Sequence, residues 1–398
     1  MRKRISIDQL KIGMKVEKLD RSWLATPFLR HRFTITSSEQ ITQLRSSGVQ
    51  RLDVETDDAC QDSGSCASAI PAKVEEPESP AIPFAEELPA AKQTYRAAKL
   101  VIQQAMEDVR MGRALNMEAV SDVVGNMADS ILRNPDALTS LTRLKQFDEY
   151  TFFHSVNTSA LALSVGKHLG YERASLLQLG TGTLLHDIGK MLIPVEILNK
   201  PGRYEANEFE IMKQHALRGA EILSNTTGLT DMFLKPALEH HERVDGTGYP
   251  HHRFKIDISQ FGLIAAIVDI YDAVTSDRCY HKGKTPHDTL QFLYQLGAQG
   301  HVDGTLVQQF VQVVGVYPVG SCVSLSTGET AIVKQFNHEA PIRPLVVLVT
   351  DEAGRRLATP IDLDLAAQRR RPEQTIRSIL DPTVLGINPR IYLDKEAA

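Results

Sequence analysis

The amino-acid sequence predicts a mainly α-helical fold, with a small α/β domain at its N-terminal end and a short β extension at its C-terminal end. Three observations predict it: a helical apolar period almost throughout residues 95–314, a proline-rich segment before this region, and a period of two after Pro318. We therefore expect an α/β domain over residues 1–60, a linker over 61–92, a helical domain over 93–315, and a β unit with a tail over 316–398.

The first sixty residues combine short strands with one helix. Residues 33–36 and 52–54 have the pattern of strands, and a helix that starts at Ser37 and ends at Gly48 lies between them. From residue 56 to residue 91 the composition changes to five prolines among many Ser, Ala and Glu residues. Such a segment buries too little apolar surface to fold, and it predicts an extended linker.

Capping residues mark the helices of the central region. Asn116 precedes one apolar helical pattern, Gly170 ends a helix over residues 151–169, and Asn207 opens another. A helix over residues 259–275 follows, and Thr285-Pro286-His287-Asp288 places an N-cap, a first-turn proline and an acidic residue in order. These signals predict an all-helical domain.

After Pro318 the apolar residues alternate. Val323 and Leu325 predict one strand, Ile332 lies in a second, and Thr327-Gly328 supplies the turn between them. Residues 345–349 predict a further strand. The C-terminal region is therefore expected to form a small β unit.

Composition excludes several classes of protein. The 44 Lys and Arg residues against 49 Asp and Glu residues give a net charge of −5, so there is no positive excess to hold a nucleic-acid backbone. The most apolar stretch, residues 261–268, is cut by Asp269 and falls short of the roughly 20 residues that span a bilayer. Four cysteines without a CxxC pair argue against a disulfide framework and a thiolate zinc site. We expect a cytoplasmic protein of two or three domains.

Histidines and aspartates recur in the helical region at intervals of about 25 to 32 residues, roughly one helix and its connection. Each can therefore project from a different helix into one shared centre. A lone buried histidine is more often a core residue than a ligand, but Asp269 in an apolar helix is costly unless it is paired or metal-bound. The set consists of His154, His186, Asp187, His215, His240, His241 and Asp269.

Imidazoles and carboxylates without thiolates suit iron, manganese or nickel. Five histidines and two aspartates exceed the ligands of one tetrahedral ion, so the set indicates two ions with a bridging carboxylate, for which Asp187 is the natural candidate. Two ions generate hydroxide at neutral pH and neutralise developing charge in phosphodiester hydrolysis. Lys190 would reach a phosphate oxygen if the helix continues past His186, and Gly189 would leave room for close backbone approach there. The small Gly262, in the same predicted helix as Asp269, would let a ligand or metal approach.

Two motifs carry a resemblance to a known family. The chain contains Leu185-His-Asp-Ile-Gly-Lys190 and His240-His-Glu-Arg-Val-Asp-Gly-Thr-Gly-Tyr-Pro250. With them, residues 95–315 resemble the HD-GYP family, a bacterial branch of the HD phosphohydrolases that hydrolyses cyclic di-GMP. The first sixty residues resemble a small domain of unknown function found ahead of such modules. The resemblance implies hydrolysis to linear pGpG, and on to GMP, by hydroxide generated on the metal.

The resemblance also implies roles for single residues. The seven clustered residues would be metal ligands, His186, Asp187 and Lys190 would carry catalysis, and Lys190, Arg278, Tyr249 and Lys282 would bind the substrate. Relatives with three metals have a Glu one turn before the first histidine, where this chain has Tyr150, so we expect two ions. His281 and Ala216 replace a frequent basic residue and a frequent proline.

Other interpretations remain open. Taken alone, residues 246–250 have the composition of an ordinary turn. Their position next to His240 and His241 predicts instead that they form a substrate mouth or a docking surface for a protein partner. Tyr249 suits stacking on a guanine or contact with that partner. A different cyclic dinucleotide is an alternative substrate, and a cyclic di-GMP receptor without turnover is an alternative function. The complete ligand set favours an enzyme.

Overall fold

The computed structural model describes residues 2–11, 14–19, 33–35, 41, 44–45, 49–55, 82–142, 150–276, 283–337, 339–367 and 374–393. The chain divides into two compact units, Met1–Glu78 and Ser79–Ala398. None of the helices within these ranges is long and apolar enough to cross a membrane.

The first unit is built on an antiparallel sheet. Its four strands within the described residues pair in the order β1-β4-β2-β3, with Ile5 opposite Leu52. Val16, Leu52 and Val54 are buried on the same core as Leu44, which is helical. The first two strands were not predicted, and the third is shorter than predicted. Their bounds are β1 Arg2–Ser6, β2 Lys15–Leu19, β3 Phe33–Thr34 and β4 Arg51–Glu55.

The second unit is mainly helical, as predicted. Its α-helices within the described residues are α1 Phe84–Arg110, α2 Met117–Arg133, α3 Pro135–Leu141, α4 Tyr150–His168, α5 Arg173–Leu184, α6 Val195–Leu198, α7 Ala206–Ser224, α8 Asp231–Glu239, α9 Gln260–Thr275, α10 Pro286–Ala298, α11 Gly304–Val314 and α12 Pro389–Leu393. A 3-10 helix, Ile188–Leu192, follows α5. The helices α1 to α5 share one apolar core.

Local caps explain why several helices begin where they do. The side chain of Asn116 accepts a hydrogen bond from the Ala119 amide, and that of Thr285 accepts one from the Asp288 amide. Helix α7 begins at Ala206, one residue before the predicted start at Asn207, because Glu205 is the N-cap and forms a reciprocal capping box with Glu208.

Helix α1 begins inside the predicted linker. The Glu87 carboxylate is buried and accepts hydrogen bonds from Ser130 Oγ at 2.7 Å and from Arg133 Nε at 2.7 Å. The Asn134 side chain also donates to the Ile82 carbonyl oxygen at 2.9 Å. These contacts from α2 and the start of α3 anchor residues 82–89 in spite of their prolines.

The C-terminal β unit has more strands than predicted. Within the described residues five strands form an antiparallel sheet in the order β8-β7-β6-β5-β9. The predicted turn at Thr327-Gly328 joins β5 to β6, and Gly328 adopts a φ of 108° there. The strands are β5 Cys322–Leu325, β6 Thr330–Gln335, β7 Leu345–Thr350, β8 Arg356–Asp364 and β9 Ile376–Leu380.

Candidate metal centre

The seven histidines and aspartates singled out above meet in the middle of the helical unit. His154 lies on α4, His215 on α7 and Asp269 on α9; His186 and Asp187 follow α5, and His240 and His241 follow α8. Their ligand atoms form overlapping groups of three whose members lie within 4.8 Å of one another. His241 and Asp269 are half-buried, and the others are buried.

Asp187 divides this cluster into two sides. Its Oδ2 atom lies 3.6 Å from His154 Nε2 and 3.4 Å from His186 Nε2. Its Oδ1 atom lies 3.6 Å from His215 Nε2 and 3.7 Å from His240 Nε2. One carboxylate therefore presents a different oxygen to each pair of imidazoles.

Each side has a further ligand group. On the first side, Asp269 Oδ1 lies 3.1 Å from His154 Nε2 and 4.0 Å from His186 Nε2. On the second side, the His241 ring lies 4.0 Å from that of His240 and 5.0 Å from that of His215, centroid to centroid. We call these the His154 side and the His215 side.

Hydrogen bonds at Nδ1 orient the imidazoles. His186 donates to the Thr183 carbonyl oxygen at 2.7 Å, and His215 donates to that of Met212 at 2.6 Å. His240 donates to the Pro236 carbonyl oxygen at 2.8 Å. Because Nδ1 carries the proton, Nε2 keeps a lone pair that faces the centre, which is the arrangement of metal-ligating histidines.

The fourth imidazole is oriented by a carboxylate. His154 Nδ1 donates to Asp272 Oδ2 at 2.8 Å, so Asp272, which lies one turn after Asp269, orients this histidine. Burial lowers the pKa of His154, but the hydrogen-bonded carboxylates of Asp269 and Asp272 outweigh burial and raise it to about 9.

The electrostatics of the other groups suit a bound cation. Burial with the nearby Lys190 charge lowers the pKa of His215 to about 4, and burial beside His186 lowers that of His240 to about 4. Burial raises the pKa of Asp187, but the neighbouring His186 imidazole and the Lys190 charge outweigh it and hold the pKa well below the usual range. These imidazoles are neutral and the carboxylate is ionised at neutral pH.

Two atoms of the cluster support the fit to a metal. Asp187 Oδ1 and His186 Nε2 are buried, and neither has a hydrogen-bond partner among the residues that the structure describes. A buried carboxylate oxygen without a donor is costly unless a cation compensates it. The donor set therefore fits divalent metal ions.

The main chain around Lys190 differs from the expectation. Helix α5 ends at Leu184, so the helix does not continue past His186. The tighter 3-10 helix still brings Lys190 Nζ to 2.5 Å from Asp187 Oδ2, and about a quarter of the lysine side chain is exposed. Lys190 thus lies at the edge of the cluster, paired with the central carboxylate.

The second motif builds a wall beside His241. The carboxylate of Glu242 accepts hydrogen bonds from the amides of His251 at 2.7 Å and Arg253 at 3.0 Å, which closes the loop over residues 246–250. The Tyr249 ring packs on the His241 ring with centroids 4.6 Å apart, and burial raises the pKa of this phenol. The tyrosine is therefore part of the cluster's own packing.

Close backbone approach was predicted at Gly189 and is observed, whereas the opening predicted at Gly262 is not. A Cβ on Gly189 would lie 2.5 Å from the Gly219 amide nitrogen, so this glycine admits the backbone of α7. A Cβ on Gly262 would lie 2.5 Å from Glu239 Oε2, so the absence of a side chain here leaves the space that the buried Glu239 carboxylate occupies. Both serve contacts within the protein and not the approach of a ligand.

Several of the predicted site residues are not among the residues that the structure describes. Arg278, His281 and Lys282 lie outside the described residues, as does the side chain of Tyr150. Sequence reasoning missed Asn157, which donates to Asp272 Oδ1 at 2.9 Å. A polar residue three positions after His154 on an apolar helix was the available signal.

The chain resembles known proteins over nearly its whole length. Residues 126–306 match an HD domain, residues 322–383 match a KOW domain associated with HD domain, and residues 2–120 match a domain of unknown function, DUF3391. The cyclic di-GMP phosphodiesterase PA4108 of Pseudomonas aeruginosa is 36% identical over 380 residues, which cover 93% of this chain and 91% of that protein.

The chain belongs to the HD-domain phosphohydrolase family. The resemblance found in its two motifs is thereby confirmed, and an HD domain implies divalent metal binding. A 3′3′-cGAMP-specific phosphodiesterase 2 of Vibrio cholerae is 39% identical over 131 residues, 32% of this chain and 24% of that protein. The solved HD-GYP-type protein Bd1817 of Bdellovibrio bacteriovorus aligns with a TM-score of 0.47 and 14% identity, over 78% of this chain and 98% of that one.

Proposed function

We propose that this HD-domain phosphohydrolase hydrolyses cyclic di-GMP to linear pGpG at a centre that holds two divalent metal ions. The observation that carries the proposal is the placement of Asp187, whose two oxygens face two separate pairs of imidazoles. The likeness to a cyclic di-GMP phosphodiesterase over 93% of the chain supports the substrate.

Each side of the cluster would hold one ion. His154, His186, Asp187 and Asp269 would hold the first, and Asp187, His215, His240 and His241 would hold the second. Nitrogen and oxygen ligands without thiolates suit iron or manganese, and nickel is also compatible. When bound, the ions would supply Lewis acidity to the phosphate and lower the pKa of water.

The residues around the centre would bind the substrate. Lys190, partly exposed at the edge of the cluster, would hold a phosphate oxygen as a point charge. Tyr249, fixed on His241, would form one wall of the substrate mouth. Arg278 and Lys282, which lie outside the described residues, remain proposed phosphate contacts on the resemblance alone.

A related substrate is the second candidate. The relative named for 3′3′-cGAMP shares 39% identity over 131 residues, so this mixed cyclic dinucleotide competes with cyclic di-GMP. A receptor without turnover is disfavoured, because receptors that have lost activity usually lack metal ligands and this cluster is complete. A protein partner at residues 246–250 remains a prediction; Thr247 is the exposed tip of that loop.

The test compares turnover with metal binding. Protein loaded with Mn²⁺ should convert cyclic di-GMP to pGpG faster than 3′3′-cGAMP or cyclic di-AMP, as product chromatography would show. Asp187→Asn should bind less than one Mn²⁺ tightly and lose at least about a hundredfold in kcat/KM, because it weakens both sides of the centre. Asp269→Asn should weaken one side only. Tight binding of cyclic di-GMP without product would establish the receptor instead.

A further inference from the structure

A chain of buried hydrogen bonds leads from helix α1 to His154. The Tyr95 hydroxyl donates to Asn157 Oδ1 at 2.6 Å, and Asn157 Nδ2 donates to Asp272 Oδ1 at 2.9 Å. The other oxygen of Asp272 accepts the 2.8 Å bond from His154 Nδ1. Tyr95, Asn157 and Asp272 are each less than one-tenth exposed.

The donors and acceptors in this series of hydrogen bonds can be arranged in only one direction. The carboxylate of Asp272 accepts at both oxygens, so the amide of Asn157 must turn its NH₂ group toward Asp272 and its oxygen toward Tyr95. Burial raises the pKa of Tyr95, so the phenol keeps the proton that it donates. Each member therefore fixes the orientation of the next.

We propose that Asn157 and Tyr95 are positioning residues of the metal centre, which act through Asp272 to fix the orientation of His154 and so set metal affinity on the His154 side. Without Asn157, one oxygen of the buried Asp272 would lack this donor, and its carboxylate could turn away from His154. On the other side, His215 and His240 are oriented by backbone carbonyl oxygens instead, so their orientation does not depend on these hydrogen bonds.

The same series of hydrogen bonds connects α1 to the metal centre. Tyr95 stacks on Phe153, the neighbour of His154, with ring centroids 6.1 Å apart. Near its other end, α1 reaches the 3-10 helix after Asp187, where Arg110 contacts Met191 Sδ at 3.4 Å. Helix α1, which carries none of the seven ligands, therefore contacts both α4 and the 3-10 helix beside the His154 side.

The test measures binding of Mn²⁺ alone to the metal-stripped full chain by calorimetry, which would resolve one step for each side. Asn157→Leu should weaken Mn²⁺ binding in the step that belongs to the His154 side by about 10- to 100-fold, the usual effect of losing a group that orients a ligand. Tyr95→Phe, one bond further away, should weaken the same step by about threefold, and the other step should stay within about twofold in both variants.

Ser130→Ala is the matched control. It removes a buried hydrogen bond between α1 and α2, to Glu87, and it has no link to His154. Urea unfolding of the metal-stripped variants reports the structural cost separately. Should Asn157→Leu fail to fold, Tyr95→Phe, which keeps the aromatic ring, still decides the question.

The inference rests on the proposed metal centre and not on the substrate. It is overturned if Tyr95→Phe and Asn157→Leu leave both Mn²⁺-binding steps unchanged or weaken both steps equally. It is also overturned if Ser130→Ala weakens the same step, or if the unmodified protein binds Mn²⁺ in a single step. An enzyme that shows these Mn²⁺ effects but leaves cyclic di-GMP intact would refute the proposed function and retain the inference.

Discussion

Gly189 lies directly against the backbone of His215. A Cβ on Gly189 would lie 2.5 Å from the Gly219 amide nitrogen and closer still to the His215 carbonyl oxygen. This approach holds the turn that carries His186 and Asp187 next to α7, which carries His215. The distance between the two sides of the cluster therefore depends on the absence of one side-chain atom.

Gly189→Ala should move this turn away from α7. We expect Mn²⁺ affinity to fall by at least about tenfold and the free energy of unfolding to fall by about 1–3 kcal/mol, because neither backbone can yield easily. Calorimetric titration and urea unfolding would measure the two effects.

Gly125→Ala is the control for this substitution. Gly125 lies inside α2, and a Cβ there would meet only the Arg173 side chain, at an ordinary 3.7 Å. Alanine in a helix should leave stability unchanged or raise it by up to about 1 kcal/mol. Equal behaviour of the two variants would show that the Gly189 contact does not position the centre.

Metal binding should depend on pH on one side of the centre only. In the metal-stripped protein the pKa of His154 is raised to about 9, whereas the pKa values of His215 and His240 are lowered to about 4. A metal must displace the proton of His154, so affinity on that side should rise by up to about tenfold per pH unit between about pH 6.5 and 8.5. The His215 side, already neutral there, should change little.

Calorimetric titration with Mn²⁺ at several pH values would separate the two steps. In buffers of different ionisation enthalpy, the step on the His154 side should release close to one proton at pH 7.5 and the other step almost none. Equal pH slopes for the two steps, or a slope confined to the His215 side, would contradict the assignment.

Glu87→Ala should destabilise the start of α1. The substitution removes a buried carboxylate that accepts three hydrogen bonds from Ser130 and Arg133. We expect the free energy of unfolding to fall by about 1–3 kcal/mol, since Ser130 is left buried without that acceptor while Arg133 is partly exposed to solvent. Glu86→Ala, at the exposed neighbouring position, should change it by less than about 0.5 kcal/mol in the same urea titration. Comparable losses in both would show that the ion pair does not anchor the helix.

Predictions that depended on local chemistry agree with the structure. The side chains of Asn116 and Thr285 cap α2 and α10, because a cap needs only the residue and the next three amides. The regular spacing of the histidines and aspartates correctly placed them in one cluster, because each spacing fits one helix and its return.

Features that depend on distant partners could not be predicted. Helix α1 starts within a proline-rich stretch because Glu87 meets Arg133, 46 residues away in the chain. The small Gly262 suggested an opening for a ligand, but Glu239 from α8 fills the space beside it. The polar role of Asn157 depends on Asp272, 115 residues further along. Neither residue number nor apolar period carries information on such pairs.

The number of ions per chain depends on Tyr150, the first residue of α4, one helical turn before His154. The resemblance to the HD-GYP family implies a Glu at this position in members with three metals, whereas a phenol with an ordinary pKa near 10 is a poor ligand at neutral pH. We therefore expect two ions per chain, and Tyr150→Glu should raise the number toward three. Thr151→Glu adds the same charge about 100° further around the helix and should leave two. Elemental analysis of protein purified without oxygen or chelator would count the ions, and three tightly bound ions in the unmodified chain would refute the two-ion centre.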